Sequence, residues 1–326
     1  MIESTEKLFR SENEAPVVNW WSEKIGAEKL RAISGAGTEK IVVAVLDTGV
    51  KLEHETLKIW QIDEDYKIIS GFNHRTDGDD FNSPDDRNGH GTRVAGIIAA
   101  SGEKIKGVCP NATILPIKIL DDANRLGCVS FITSGIKSAV YARKKLGVNL
   151  RVINISCGMS DTISTLKLNE LKAAIREAER ADILIVASAG NANLNIGERK
   201  NQRFPASIEA DNLIAVAATD ADDRKMPRSS YCETAIGAPG DKIFTTGMSG
   251  ENSILSDTSA AAAFVSGCAA LLREQFPALT CAEIKNALLE TGEDADGHLQ
   301  EHFPNGRING FAAYQKIMSE QKHGSL

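Results

Sequence analysis

Apolar residues follow two rhythms along this chain. Runs at Ile41–Leu46, Ala112–Leu120, Val152–Ile155, Ile183–Ala187 and Leu213–Ala218 are nearly continuous and rich in β-branched residues. That pattern predicts strands buried on both faces of a parallel sheet. Between and after them, Ser130–Leu146 and Leu166–Arg180 repeat apolar residues at helical spacing. A helix opens at Asn88-Gly89-His90 and runs to Ala100, and another runs from Thr258 through Leu272 and stops before Pro277. Shorter segments complete the pattern. Strands are predicted at Tyr66–Ile69 and Lys242–Thr245, helices at Cys281–Glu290 and Asn309–Met318. Residues 17–32, with Trp20, Trp21, Ile25 and Leu30, predict one short helix packed on the domain, and Gly35-Ala36-Gly37 a loop. Strand–helix alternation over this length predicts a single doubly wound α/β domain of three layers with a mainly parallel central sheet. The domain is expected over residues 17–320, preceded by a polar arm (1–16) and followed by a short tail (321–326).

Composition narrows the function. The 326 residues are 42% hydrophobic but only 5% aromatic, so the core must be built from Val, Ile, Leu and Ala. A net charge of −7 argues against nucleic acid and anionic membrane as partners. Met1–Arg10 lacks the apolar core of a signal peptide, and no apolar run approaches the length of a bilayer. The cysteines (Cys109, Cys128, Cys157, Cys232, Cys268, Cys281) are scattered with no C-x-x-C pair, which predicts reduced thiols rather than a zinc site or disulfide framework. A cytoplasmic protein is therefore expected, or a secreted one if a leader has been trimmed. The acidic loop from Asp77-Gly78-Asp79-Asp80 to Asp85-Asp86 lacks EF-hand spacing and is expected to be solvated.

Polar residues at element ends carry the chemistry. Thr258 is a good N-cap, which would put Ser259 in the first turn, beside free backbone N–H groups. Asp47 ends the Ile41–Leu46 run, His90 stands between two glycines at a helix entry, and Asn191 follows the Ile183–Ala187 strand. Each has a plainer local explanation: an Asx-turn for Asp47, a cap for Ser259, a packed surface residue for His90. Together their types fit acyl transfer. A serine hydroxyl needs a base to become nucleophilic, histidine can take and return that proton, and a buried aspartate fixes the imidazole tautomer. An amide side chain can donate to the developing oxyanion.

Val45-Leu46-Asp47-Thr48-Gly49, Gly89-His90-Gly91-Thr92-Arg93-Val94-Ala95-Gly96, Ala189-Gly190-Asn191 and Thr258-Ser259-Ala260-Ala261 resemble the Asp, His, oxyanion-Asn and Ser motifs of the subtilisin-like serine proteases, in that family's order. The resemblance implies a serine endopeptidase in which Ser259 attacks the peptide carbonyl, His90 acts as base and then acid, Asp47 orients His90, and Asn191 with the Ser259 N–H forms the oxyanion hole. It further implies that Ser156-Cys157-Gly158 pairs with substrate backbone and walls the pocket for the residue before the cut. Arg125-Leu126-Gly127 would form the opposing edge, so that a peptide or protein substrate binds in extended conformation between them. No cofactor is expected, and the oligomeric state is left open.

The sequence departs from the family pattern at several places. Asp257 stands two residues before the nucleophile where the family has glycine, and Ala260–Ala263 replaces the family's Met-Ala-x-Pro. A carboxylate at 257 is expected to raise the His90 pKa, shifting the optimum upward or lowering activity. These changes keep open an alternative: a weakly active or inactive fold that binds extended peptides. Cys157 replaces a larger apolar residue and is expected to be a buried, inert thiol. Thr56 occupies the position of a calcium-ligating Asp, and the loop at Gly102–Lys106 is short, so no calcium is expected there. The first 16 residues are expected to fray or to lie across the cleft. Asp121 and Asp122 lie near the binding edge, either as solvated charges or as a preference for basic residues upstream of the cut.

Overall fold

The computed structural model describes residues 20–34, 40–64, 67–75, 81–160, 163–294 and 296–324. The arm at 1–16, the loop at 35–37 and the acidic stretch at 77–80 lie outside these residues. Helices α1 (Trp20–Lys24) and α2 (Ala27–Ser34) precede β1 (Val42–Asp47). Three short strands follow, β2 (Ile62–Glu64), β3 (Lys67–Ile69) and β4 (Phe72–Asn73), and then α3 (His90–Ala99). The chain continues through β5 (Thr113–Lys118), α4 (Val129–Lys145), β6 (Leu150–Ile155), β7 (Met159–Ser160), α5 (Thr165–Arg180), β8 (Leu184–Ser188), β9 (Arg203–Phe204) and β10 (Leu213–Thr219). It ends with β11 (Ile236–Pro239), β12 (Ile243–Thr246), β13 (Asn252–Leu255), α6 (Thr258–Gln275), α7 (Cys281–Glu290) and α8 (Gly310–Lys322).

The central sheet has seven strands in the order β11-β10-β8-β6-β1-β5-β4, with each neighbouring pair parallel. Pleating sends alternate residues of β1 to opposite layers. Val43 and Val45 join a core with α3 and α6, while Val42, Ala44 and Leu46 join another with α4 and α5. This is why the strand reads as one continuous apolar run. Helix α6 is buried along nearly its whole length, Ala260–Ala263 completely. Small side chains let it lie directly on the sheet, against β10 and β6.

Several expectations were altered by packing. The single helix predicted over 17–32 is two, broken at Gly26 (φ +66), where a Cβ would meet Phe311 Cβ at 2.6 Å. Close approach of α8 therefore requires glycine there. The Lys242–Thr245 strand exists as β12, but it pairs antiparallel with β13 in a separate hairpin. Strand β11 was not anticipated, because Ile-Gly-Ala-Pro is too short and broken to read as a strand. A sheet margin tolerates its proline, and the chain at Gly306–Ile308 bonds to Gly237 on the far side. Helix α8 continues to Lys322, so the boundary expected at residue 320 falls within it.

Candidate active site

Asp47 ends β1 with its side chain fully buried. His90 Nδ1 donates to Asp47 Oδ1 at 2.7 Å, and Thr48 N–H donates to the same oxygen at 2.7 Å. Asp47 Oδ2 has no partner among the described residues. Glycine 91 explains how α3 reaches the strand end: a Cβ there would lie 2.0 Å from the Gly49 carbonyl oxygen and 3.1 Å from Asp47 Cβ. Lys118, opposite Asp47 in the β1–β5 register, donates from its buried ammonium to the Thr48 carbonyl at 2.6 Å and to Asp122 at 2.8 Å. The strand end is thus fixed on both sides.

Asp86 organises the turn that presents His90. Its Oδ1 accepts from Thr48 Oγ1, Asn88 N–H and Gly89 N–H, and its Oδ2 from Thr92 N–H and Thr92 Oγ1, all between 2.7 and 3.0 Å. The residue is only 1% exposed, which corrects the expectation that the acidic loop is solvated through Asp86. The available signal was an Asx-type acid just before a glycine-flanked helix entry.

Burial by itself lowers the His90 pKa. The charge of Asp47 and its hydrogen bond, with Asp86 acting against Arg93, outweigh burial and hold the imidazole above the ordinary histidine value. Asp257, whose carboxylate was expected to raise His90, is not among the largest of these influences.

Helix α6 begins with Asp257 as N-cap, Thr258 first and Ser259 second. Thr258 is therefore not the cap that the sequence suggests. Its hydroxyl donates to Asn191 Oδ1 at 2.7 Å and accepts from Gly190 N–H at 3.2 Å, while its own N–H donates to Asn191 Oδ1 at 3.2 Å. With Oδ1 held this way, Asn191 Nδ2 is left to donate elsewhere. The Ser259 N–H, in the first turn, has no intrahelical acceptor. Asp257 has φ 73 and ψ −167, a region occupied almost only by glycine.

Ser259 Oγ donates to the Ser156 carbonyl at 3.2 Å, and Ser156 Oγ donates to the Ser259 carbonyl at 3.2 Å. Among the described residues no hydrogen bond joins Ser259 Oγ to His90. Helix α6 is further tied to β6 through buried polar groups: Ser266 Oγ donates to Asn154 Oδ1 and Asn154 Nδ2 to Ser156 Oγ, each at 2.9 Å. No local pattern signals this link, because Asn154 lies inside an apolar run and Ser266 inside an Ala-rich helix.

Cys157 and Gly158 follow Ser156 in open chain before β7. Burial pushes the Cys157 thiol well up, and the Asp47 charge adds to it, so the group stays protonated. Arg125, Leu126 and Gly127 run in open chain before α4, with Arg125 Nε bonded to Asp121 at 2.9 Å. Asp121 is closed into its own turn by Ala123 and Arg125 N–H groups, and Asp122 pairs with Lys118 and Arg87. Asp121 is thus spent within its own turn, whereas Asp122 remains 47% exposed. The Thr56 carbonyl accepts from Ser101 N–H at 2.9 Å and Oγ at 3.0 Å. Among the described residues no group of three or more His, Cys, Asp or Glu side chains is placed to hold a metal ion.

A parallel α/β sheet that brings an acid, an imidazole and a helix-start serine to one end matches known proteins. The model of the subtilase family, a peptidase family, matches residues 38–306. Subtilisin DY from Bacillus licheniformis is 32% identical over 294 residues, covering 89% of this chain and 96% of that protein. Thermitase from Thermoactinomyces vulgaris is 31% identical over 304 residues, covering 90% and 96%. The major intracellular serine protease of Bacillus subtilis (strain 168) is 33% identical over 244 residues, covering 73% and 70%. The chain belongs to the subtilase family and is a serine endopeptidase. These comparisons lend no support to a peptide-binding fold that has lost catalysis.

Proposed function

We propose that the chain cleaves peptide bonds through an acyl-enzyme, with Ser259 as nucleophile, His90 as general base and acid, Asp47 as the group orienting His90, and Asn191 with the Ser259 N–H as oxyanion donors. The observation that supports this most is the 2.7 Å His90–Asp47 hydrogen bond at the end of β1, with Ser259 in the first turn of α6. Asp47 holds the proton on Nδ1 and leaves Nε2 lone-paired, as a base requires. Rotation about the Ser259 Cα–Cβ bond would transfer Oγ from the Ser156 carbonyl to that nitrogen when substrate enters. Oγ then attacks the carbonyl carbon as its proton passes to Nε2. The oxyanion accepts from Asn191 Nδ2 and Ser259 N–H, and the imidazolium returns its proton to the departing amine. Water repeats the sequence to release the acid.

Substrate would lie extended between Ser156–Gly158 and Arg125–Gly127. The Arg125 N–H and carbonyl are spent on Asp121, so strand addition on that edge would use Leu126 and Gly127. We place the protein in the cytoplasm. The six cysteines stand unpaired, as expected in a reducing compartment, and one relative is named as an intracellular protease. Labelling by a serine-directed fluorophosphonate, lost in Ser259→Ala, tests the assignment. An unlabelled but folded wild-type protein would overturn it.

A further inference from the structure

Arg203 lies between the strand that follows Ser156–Gly158, the segment proposed to wall the pocket for the residue before the cut, and the Gly190–Asn191 turn. Strand β9 pairs antiparallel with β7, which begins directly after Gly158, with Met159 opposite Phe204 and Ser160 opposite Arg203. A Cβ on Gly158 would stand 3.2 Å from the Phe204 carbonyl oxygen. On the other side, a Cβ on Gly190, the residue before Asn191, would stand 3.9 Å from Arg203 Cγ. The arginine stem therefore packs beside the oxyanion turn while its backbone continues the Ser156–Gly158 wall. Its main chain is committed: N–H donates to Ser207 Oγ at 2.8 Å and its carbonyl accepts from Ser207 N–H at 2.7 Å.

The guanidinium, by contrast, has no acceptor among the described residues, and its Nε is buried without a partner. Three other enclosed arginines reach carboxylates, although Arg93 too keeps a buried Nε without a partner. Arg273 and Arg151 each reach Asp182 at 2.6 Å, and Arg307 reaches Asp223 at 2.6 Å and Glu293 at 3.0 Å. A guanidinium held partly out of water without a carboxylate is costly unless a ligand supplies one. Its planar fork matches a carboxylate in two parallel hydrogen bonds.

We propose that Arg203 receives the side-chain carboxylate of the substrate residue immediately before the scissile bond, making the enzyme selective for cleavage after aspartate or glutamate. This rests on the peptidase reading above and names its substrate class. The guanidinium then gains a charge-assisted pair. A neutral side chain leaves it unpaired, and a lysine or arginine is repelled.

The test is kcat/KM on peptides identical except for that residue: Glu, Asp, Gln, Leu or Lys. Wild type is expected to favour Glu or Asp over Gln by about 10- to 100-fold. Arg203→Gln, which keeps the stem and loses the charge, should abolish that ratio while retaining cleavage after Gln or Leu. Arg203→Glu should transfer the preference to Lys. A wild-type enzyme that cuts after Leu or Gln as well as after Glu overturns the proposal, whether or not the variants fold. So does an unchanged Glu/Gln ratio in Arg203→Gln. Fluorophosphonate labelling separates the two failures. A labelled enzyme without acidic preference overturns only the Arg203 assignment, whereas a folded, unlabelled wild type overturns the peptidase reading and this inference with it.

Discussion

Thr258 Oγ1 donates to Asn191 Oδ1 at 2.7 Å, joining the residue before the proposed nucleophile to the proposed oxyanion donor. The same hydroxyl accepts from Gly190 N–H, so one side chain sets both the turn and the amide rotamer. Thr258→Val keeps the shape and removes the donor. It is expected to lower kcat about tenfold with little change in KM, since only the oxyanion contact tightens in the transition state. Thr258→Ser should restore kcat. Removing the amide itself in Asn191→Ala should cost about 100- to 1000-fold in kcat, the size known for loss of such a donor in this family. Steady-state kinetics on one good peptide substrate checks the series.

Activity should fall as pH drops through a His90 pKa above the ordinary histidine value near ~6.5, because protonated imidazole cannot act as a base. Asp47→Asn removes both influences that raise this pKa most. The inflection is expected to move down and kcat to fall about 10⁴-fold, the magnitude known for losing this acid in Ser-His-Asp triads. Linkage has the matching sign. The folded state binds the His90 proton more tightly than the unfolded state. The stabilisation this gives is complete below the unfolded pKa and is lost as pH rises through the folded one. Denaturant unfolding of wild type and Asp47→Asn across that window checks it.

Asp257 holds a backbone conformation suited to glycine. Asp257→Gly is expected to relieve about 1–3 kcal/mol of strain and raise Tm by about 2 °C or more. The largest charge influences on His90 come from Asp47, Arg93 and Asp86, so the pH inflection of kcat/KM should move little. A calorimetric scan and a pH–rate profile of the same variant test both halves.

Asp86→Ala would strand the N–H groups of Asn88, Gly89 and Thr92 and the Thr48 hydroxyl in a buried turn. A loss of about 3 kcal/mol or more is expected, since each buried donor left unpaired carries its own desolvation cost. Asp86→Asn, which keeps an acceptor oxygen, should recover part of it. Urea midpoints compare the variants, and kcat reports whether the His90 turn loosens with them.

What the sequence alone determined is governed by short-range periodicity and by residue type at element ends. Val42–Leu46 must be a doubly buried strand, Ser259 lies in a first helical turn, and Asp47, His90, Asn191 and Ser259 carry the motifs of one family. Only the tertiary structure decided which polar residues are buried together. Asp86 looked like one of several loop acids until the fold closed donors around it, and Asn154 and Ser266 stood in apolar stretches until α6 lay on β6. Strand β11 and the Gly26 break exist because another part of the chain packs against them. Arg203 gives no local signal either, since its meaning comes from β9 lying beside β7 and from the absence of a carboxylate partner among the described residues. The division is physical. Strand and helix periodicity is carried by neighbours a few residues apart, whereas a buried charge or hydrogen bond is satisfied by groups brought in from anywhere along the chain.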